Sequence, residues 1–281
     1  MSGATKQMIV STNGLTKSYG GRTVLDSVDI RVPEGAIYGF IGANGAGKTT
    51  TLKILMGLIS ATSGEATVMG MERGSLPVKP LDGIAYLPDV PEINSWLTAR
   101  EALLLFGSIS GVDRNTAPDR AESLLKLVGL ENTQLKVGGF SRGMKQRLGI
   151  AVALMGSPRL LILDEPTSAL DPIGRAQVLE IIESLRGKTT VLFSSHLLAD
   201  VQQVCSHVGI LNRGQLLSQG TLEEVIASAP QPETSIRLSG QQASIVRARN
   251  LLERELPEIT IQSQANSLQN AYTHLVKGRN S

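Results

Sequence analysis

The run GANGAGKTT at residues 42–50 constrains this chain more than any other stretch. Gly42, Gly47, Lys48 and Thr49 hold the fixed positions of the pattern G-x-x-x-x-G-K-[ST]. Residues 36–41 (AIYGFI) in front of it read as a short apolar strand, and Leu52, Leu55, Met56 and Ile59 behind it fall at helical spacing. A glycine-rich loop between a strand and a helix can turn its backbone N–H groups inward around phosphate oxygens. The helix N-terminus adds partial positive charge there, and Lys48 adds a full one. The expected ligand is a nucleoside triphosphate held by Gly42, Asn44, Gly45, Gly47, Lys48, Thr49 and Thr50, with the Thr49 hydroxyl offered to Mg²⁺. The alternative, a turn that only joins strand to helix, has no use for the Lys-Thr pair at this spacing.

Composition narrows the partners. Hydrophobic residues make up 41% and charged residues 19%, with a formal net charge of +2, which suits a folded soluble chain and gives no basic tract for DNA. Aromatics at 3% are too few for a base-stacking platform, so nucleic acid is not an expected partner. The one cysteine, Cys205, has no internal disulfide partner and is expected to be an inert core thiol in a reducing compartment. The first residues lack the apolar run of a secretory signal, and no window approaches the ~20 apolar residues that span a bilayer. A membrane role would need another chain to supply the span.

Alternating Val24, Val28, Ile30 and Val32 around a turn at Ser18-Tyr19-Gly20-Gly21 predict an antiparallel β layer near the start. Residues 64–70 and 83–87 are further strand candidates. Residues 98–110 open with a capping box, Thr98 to Glu101, and predict a helix, as do residues 120–128. Residues 159–163 and 189–193 are apolar throughout, as expected of parallel strands buried on both faces, with a helix at 177–185 between them. Residues 209–217 read as a terminal hairpin. A small-residue and proline linker at 227–232 then separates residues 1–226 from a βαβα extension, with strands at 235–238 and 259–262 and helices at 241–255 and 267–277.

Residues 160–166 (LLILDEP) deliver two adjacent carboxylates to the C-terminal end of a buried strand, where α/β sheets place ligands. Asp164 suits the Mg²⁺ shell and Glu165 suits a general base that polarises the attacking water. His196 follows the next buried strand; alone, a histidine there reads as a turn or capping residue, but in this order of motifs it can contact the γ-phosphate and Glu165. In FSRGMKQR, Ser141 reads as the N-cap of a helix carrying Met144, Leu148, Ala151 and Met155; Ser141 and Gly143 would expose donors at an anion site, although the serine alone fits a capped core helix with a solvated basic first turn.

Together the loop, FSRGM, LLILDEP, the SALD segment and SSH resemble the ATP-binding cassette of ABC transporters over about residues 9–226. The resemblance implies a P-loop NTPase fold of the α/β class: a RecA-like parallel core, an N-terminal antiparallel β layer, a helical subdomain at about 90–157, and here a small C-terminal α+β extension at 227–281. It implies ATP hydrolysis with Glu165 and His196 catalytic, Tyr19 stacked on adenine, and Mg²⁺ held by Thr49, Asp89 and Asp164. It further implies a second cassette, docked head to tail, whose Ser141 and Gly143 bind the γ-phosphate while Asp171 of SALD couples the two sites. Helix 98–110 would form part of a groove that receives a coupling helix of a membrane permease on separate chains, which would hold the subunit at the cytoplasmic face of the cell membrane.

The chain departs from the family pattern in two segments. Asp89 stands where glutamine is common, and Phe140, Arg142 and Met144 replace residues of the usual LSGGQ form while Ser141 and Gly143 remain. The form FSRGMKQRLGIA leading to LLILDEPTSALDP resembles cassettes of bacterial exporters for bacitracin and lantibiotics, which implies outward transport. The competing expectation is a soluble ABC-family ATPase acting as a nucleotide-switched binding module. A phosphoryl-transfer kinase would have no use for FSRGM or SALD.

Overall fold

The computed structural model describes residues 7–75, 81–228 and 242–255. The chain opens with β1 (Met8–Tyr19), β2 (Arg22–Val28) and β3 (Arg31–Pro33), then β4 (Ile37–Ile41) leads into α1 (Lys48–Leu55). β5 (Ser63–Val68), β6 (Met71–Glu72) and β7 (Ile84–Leu87) precede three helices, α2 (Ala99–Ile109), α3 (Ala117–Leu127) and α4 (Arg142–Leu154). The order β8 (Leu160–Leu163), α5 (Pro172–Ser184), β9 (Thr190–Ser195), α6 (Leu198–Val204) follows, closed by β10 (His207–Asn212) and β11 (Gln215–Thr221). Among the described residues, the helices α7 (Leu222–Ala227) and α8 (Gln242–Glu255) follow.

Two sheets result. Antiparallel pairing runs in the order β2-β1-β5-β6 with β3 added to β1, and a second sheet runs β11-β10-β4-β9-β8-β7. In the second, β10, β4, β9, β8 and β7 are mutually parallel and only the terminal β10–β11 pair is antiparallel. Every residue of β4, β8 and β9 is buried, which explains why they read as unbroken apolar runs. The core that joins the sheets includes Leu15, Val28, Phe40, Leu52, Ile162 and Leu192.

The helices begin where local chemistry starts them. Thr98 and Glu101 close a reciprocal capping box on α2. Ser141 Oγ accepts the Met144 N–H at 3.2 Å at the head of α4. Asp171 caps α5, whose first residue is Pro172, so this helix starts well before the expected residue 177. Proline there is a start signal, because its fixed φ fits the first helical position and its missing N–H has no partner to lose. β6 was not anticipated: two residues carry no periodicity. Four helices end on guanidiniums from distant segments. Arg73 donates to Leu55 and Met56 O after α1, Arg147 to Val128 O after α3, Arg120 to Leu154 and Met155 O after α4, and Arg186 to Val204 O of α6. Each cation satisfies carbonyls that the helix leaves open and complements the negative end of its dipole.

The chain divides into two compact units, Met1–Leu222 and Glu223–Ser281. In the second unit α8 coincides with the helix expected near 241–255. The expected strands at 235–238 and 259–262 and the helix at 267–277 lie outside the described residues. Among the described residues no helix is long and apolar enough to cross a membrane.

Candidate active site

Strand β4 ends at the glycine-rich loop and α1 starts inside it. Gly47, at the N-cap, has φ 111°, and a Cβ there would meet Leu25 Cδ2 at 2.6 Å and Val24 O at 3.0 Å, so only glycine fits. The buried Lys48 ammonium donates to Gly42 O at 2.7 Å and Ala43 O at 3.3 Å, and lies 2.9 Å from Glu165 Oε1. Asn44, Gly45 and Thr49 are exposed around it, and Thr50 is half-buried. The lysine thus occupies the mouth of its own loop, held by dipoles that a phosphate can replace.

Next to the loop, β8 delivers Asp164 and Glu165. The buried Asp164 accepts from Ser194 Oγ at 2.6 Å and from the Tyr86 hydroxyl at 3.4 Å. Burial, then the Asp164 charge, pushes the Tyr86 phenol up to about 12, which keeps it a donor. Glu165 has a left-handed backbone, φ 50°, stabilised by donation of its N–H to Ser194 Oγ at 2.9 Å. Its Oε2 is 2.7 Å from His196 Nδ1. One hydroxyl, Ser194, therefore holds both the Asp164 carboxylate and the Glu165 backbone. In the SSH segment only His196 stands out from the sequence; the signal for Ser194 is its place on a fully buried strand, where a hydroxyl must bond something.

Asp89, one residue beyond Pro88 at the end of β7, reaches Arg142 at 3.4 Å. Its carboxyl is pushed up by burial, opposed by Arg142, and pushed up further by Asp164 and Glu165. Thr49, Asp89 and Asp164 offer oxygen donors only, the chemistry Mg²⁺ prefers when phosphates supply the rest of its shell. Among the described residues there is no group of three acidic, histidine or cysteine side chains that could hold a metal.

Ser141, Gly143 and Asp171 lie elsewhere. The heads of α4 and α5 line a cleft of about 360 Å³ with Ser141, Arg142, Gly143, Asp171, Gly174 and Gln177 among its walls, and no residue of the glycine-rich loop contributes. Asp171 Oδ1 accepts the Gly174 N–H at 3.0 Å. Tyr19, 49% exposed at the end of β1, has Lys17 Nζ 4.8 Å from its ring centroid. Cys205 is buried at the end of α6 with its thiol pushed well up by burial, an inert packing group as expected. A second buried cluster escaped the sequence reading: Asp200 of α6 accepts from Thr167 Oγ1 at 2.5 Å and pairs with Arg175 of α5.

The family model described as "ABC transporter" matches residues 25–168, a span that holds the loop, FSRGM and the Asp164–Glu165 pair. The chain belongs to the ABC transporter family. It is 39% identical to the bacitracin transport ATP-binding protein BcrA of Bacillus licheniformis over 95% of this chain and 86% of that protein. It is 40% identical to the lantibiotic transport ATP-binding protein SrtF of Streptococcus pyogenes over 74% of this chain and 89% of that one. Among solved structures, a dimeric ATP-binding cassette in a post-hydrolysis state bound to ADP and Pi is similar, with a TM-score of 0.67 and 26% identity over 76% of this chain and 98% of that chain. The fold is thus the ABC cassette, and the chain is an ATP-binding, ATP-hydrolysing subunit of this transporter family.

Proposed function

We propose that two copies of this cassette close head to tail around ATP, and that their closure and reopening drive outward transport through a permease on separate chains. The observation that carries the reading is Glu165, gripped between Lys48 at 2.9 Å and His196 at 2.7 Å beside the loop, while the cleft of Ser141 and Asp171 stands apart. Each chain therefore holds two half-sites of complementary chemistry.

In this mechanism the loop N–H groups of residues 42–50 cradle the phosphates, and Lys48 leaves the carbonyls of Gly42 and Ala43 for phosphate oxygens. That move also releases Glu165 Oε1 from the ammonium, freeing the carboxylate to take a proton from the attacking water. His196 fixes the Glu165 rotamer and presents its other nitrogen to the γ-phosphate. Thr49, Asp164 and Asp89 would hold Mg²⁺, which neutralises charge on the phosphates during transfer. Ser141 and Gly143 of the second copy donate to the γ-phosphate from the N-terminus of α4, and Asp171 sits across the interface. Tyr19 stacks on the adenine, on the ring face that Lys17 leaves open.

The permease reading is supported by exposed apolar side chains on one stretch of the helical subdomain: Val90, Trp96, and Leu105 and Ile109 of α2. Docking there would place the subunit at the cytoplasmic face of the membrane. The two named relatives support a peptide-antibiotic cargo. Glu165→Gln tests the catalytic assignment: ATP should still bind with near-native affinity while steady-state phosphate release falls by about 10²-fold or more. Normal turnover in that variant refutes the base.

A further inference from the structure

Two of the residues that depart from the family pattern, Asp89 and Arg142, touch each other. Arg142 Nη2 lies 3.4 Å from Asp89 Oδ1, the partners 53 residues apart in sequence. Arg142 is the first residue of α4, next to Ser141, so the contact ties the head of the helical subdomain to the end of β7. The site supplies a reason for the pair. Asp89, Asp164 and Glu165 bring three carboxylates into one region, where Lys48 answers Glu165 and the Tyr86 and Ser194 hydroxyls answer Asp164. The groups acting on Asp89 are Arg142 and His196 on the positive side, and Asp164 and Glu165 on the negative. Arg142 is the largest of the favourable charges acting on that carboxylate. It also lines the cleft with Ser141 and Gly143, the surface that a second copy's nucleotide would meet.

We propose that Arg142 is a positioning residue that competes with Mg²⁺ for Asp89: before metal–nucleotide arrives it holds the carboxylate against α4, and once Asp89 engages the metal the guanidinium is left unpaired in the Ser141–Gly143 cleft that it lines. Filling a chain's own nucleotide site thereby adds a cation to the surface it offers the other copy. The inference rests on the metal role proposed above for Asp89. Both side chains are close to half exposed, 46% and 47%, so the pair is screened and its effect on an equilibrium is at most about fivefold.

The test is Mn²⁺ binding in saturating ADP, followed by electron paramagnetic resonance, for the wild-type chain, Arg142→Gln, Arg142→Lys, Asp89→Asn and the Asp89→Asn/Arg142→Gln double variant. Arg142→Gln should bind Mn²⁺ about two- to fivefold more tightly than wild type, Arg142→Lys should stay near wild type, and Arg142→Gln should change nothing in the Asp89→Asn background. Hydrogen exchange supplies a structural readout: Mn²⁺–ADP should raise exchange at the Met144 amide in the wild type and leave it unchanged in Asp89→Asn. If Arg142→Gln leaves Mn²⁺ affinity unchanged or weaker, or acts equally in both backgrounds, the competition does not exist. If the wild-type chain binds no Mn²⁺ with ADP, the metal site itself is wrong, and this inference falls with it.

Discussion

Asp200 carries the sharpest stability prediction. Its side chain is 0% exposed, and it joins three segments: Thr167 in the turn after Glu165, Arg175 on α5 behind Asp171, and its own helix α6, which starts two residues after His196. A carboxylate so deeply buried is tolerable only because both oxygens are occupied, one by the Thr167 hydroxyl and one by the Arg175 guanidinium through Nε and Nη2. Asp200→Ala removes the charge and strands both partners. Breaking one side of a buried pair costs about 3–5 kcal/mol, and Arg175, 31% exposed, can recover some hydration, which places the loss near 3 kcal/mol. At about 2–4 °C per kcal/mol for a domain of this size, the melting temperature should fall by about 6–12 °C. The contrast that isolates the mechanism is Asp200→Leu/Arg175→Met, where no charge is left unpaired and the fall should be smaller than for Asp200→Ala. Thermal unfolding by circular dichroism without nucleotide reads all three chains. A shift under about 2 °C for Asp200→Ala, or a double variant less stable than the single one, refutes the reasoning.

Other consequences follow from single contacts. Ser194→Ala leaves the buried Asp164 oxygen and the Glu165 N–H without their shared hydroxyl and should cost about 1–3 kcal/mol, with kcat falling more than ATP affinity; unchanged kcat would show that the bridge does not set the carboxylates. Gly39→Ala should destabilise by about 1–3 kcal/mol in denaturant titration, since its Cβ would meet Val201 Cγ1 at 2.4 Å and Cys205 Sγ at 2.8 Å where α6 packs on β4. The Glu101 carboxyl is held below its usual range by the Thr98 N–H and then by its hydroxyl. A depressed folded pKa gives stability that is present above the unfolded value and lost as pH falls through the folded one, so wild type and Glu101→Gln should differ at neutral pH and converge in acid. Equal stability at both pH values would remove the capping box from the account.

What the sequence revealed depended on how locally each feature is encoded. The loop at 42–50 and the Thr98–Glu101 box are decided by residues within one turn, and both were readable from spacing. The buried strands β8 and β9 were readable because burial on both faces leaves an unbroken apolar run. The helix read at 177–185 begins at Pro172 in the structure, because the cap at Asp171 and a proline at the first helical position start it a turn earlier than its apolar residues show. Ser194, Asp200 and the Asp89–Arg142 contact were invisible because each joins segments roughly 30 to 50 residues apart, and only the order of the parallel sheet brings those segments together. The lysine hold on Glu165 was hidden for the same reason: it needs β4 and β8 on either side of β9 in one sheet.

In the proposed mechanism one ATP is enclosed by the loop of one copy and the α4 head of another. Light scattering of the Glu165→Gln chain in ATP and magnesium tests this directly. The mass should rise from 29.9 kDa to twice that value, and the added substitution Ser141→Arg should hold it at the single-chain mass while ATP stays bound to the loop. A mass that stays at one chain with ATP bound, or a Ser141→Arg chain that associates equally well, contradicts the shared site.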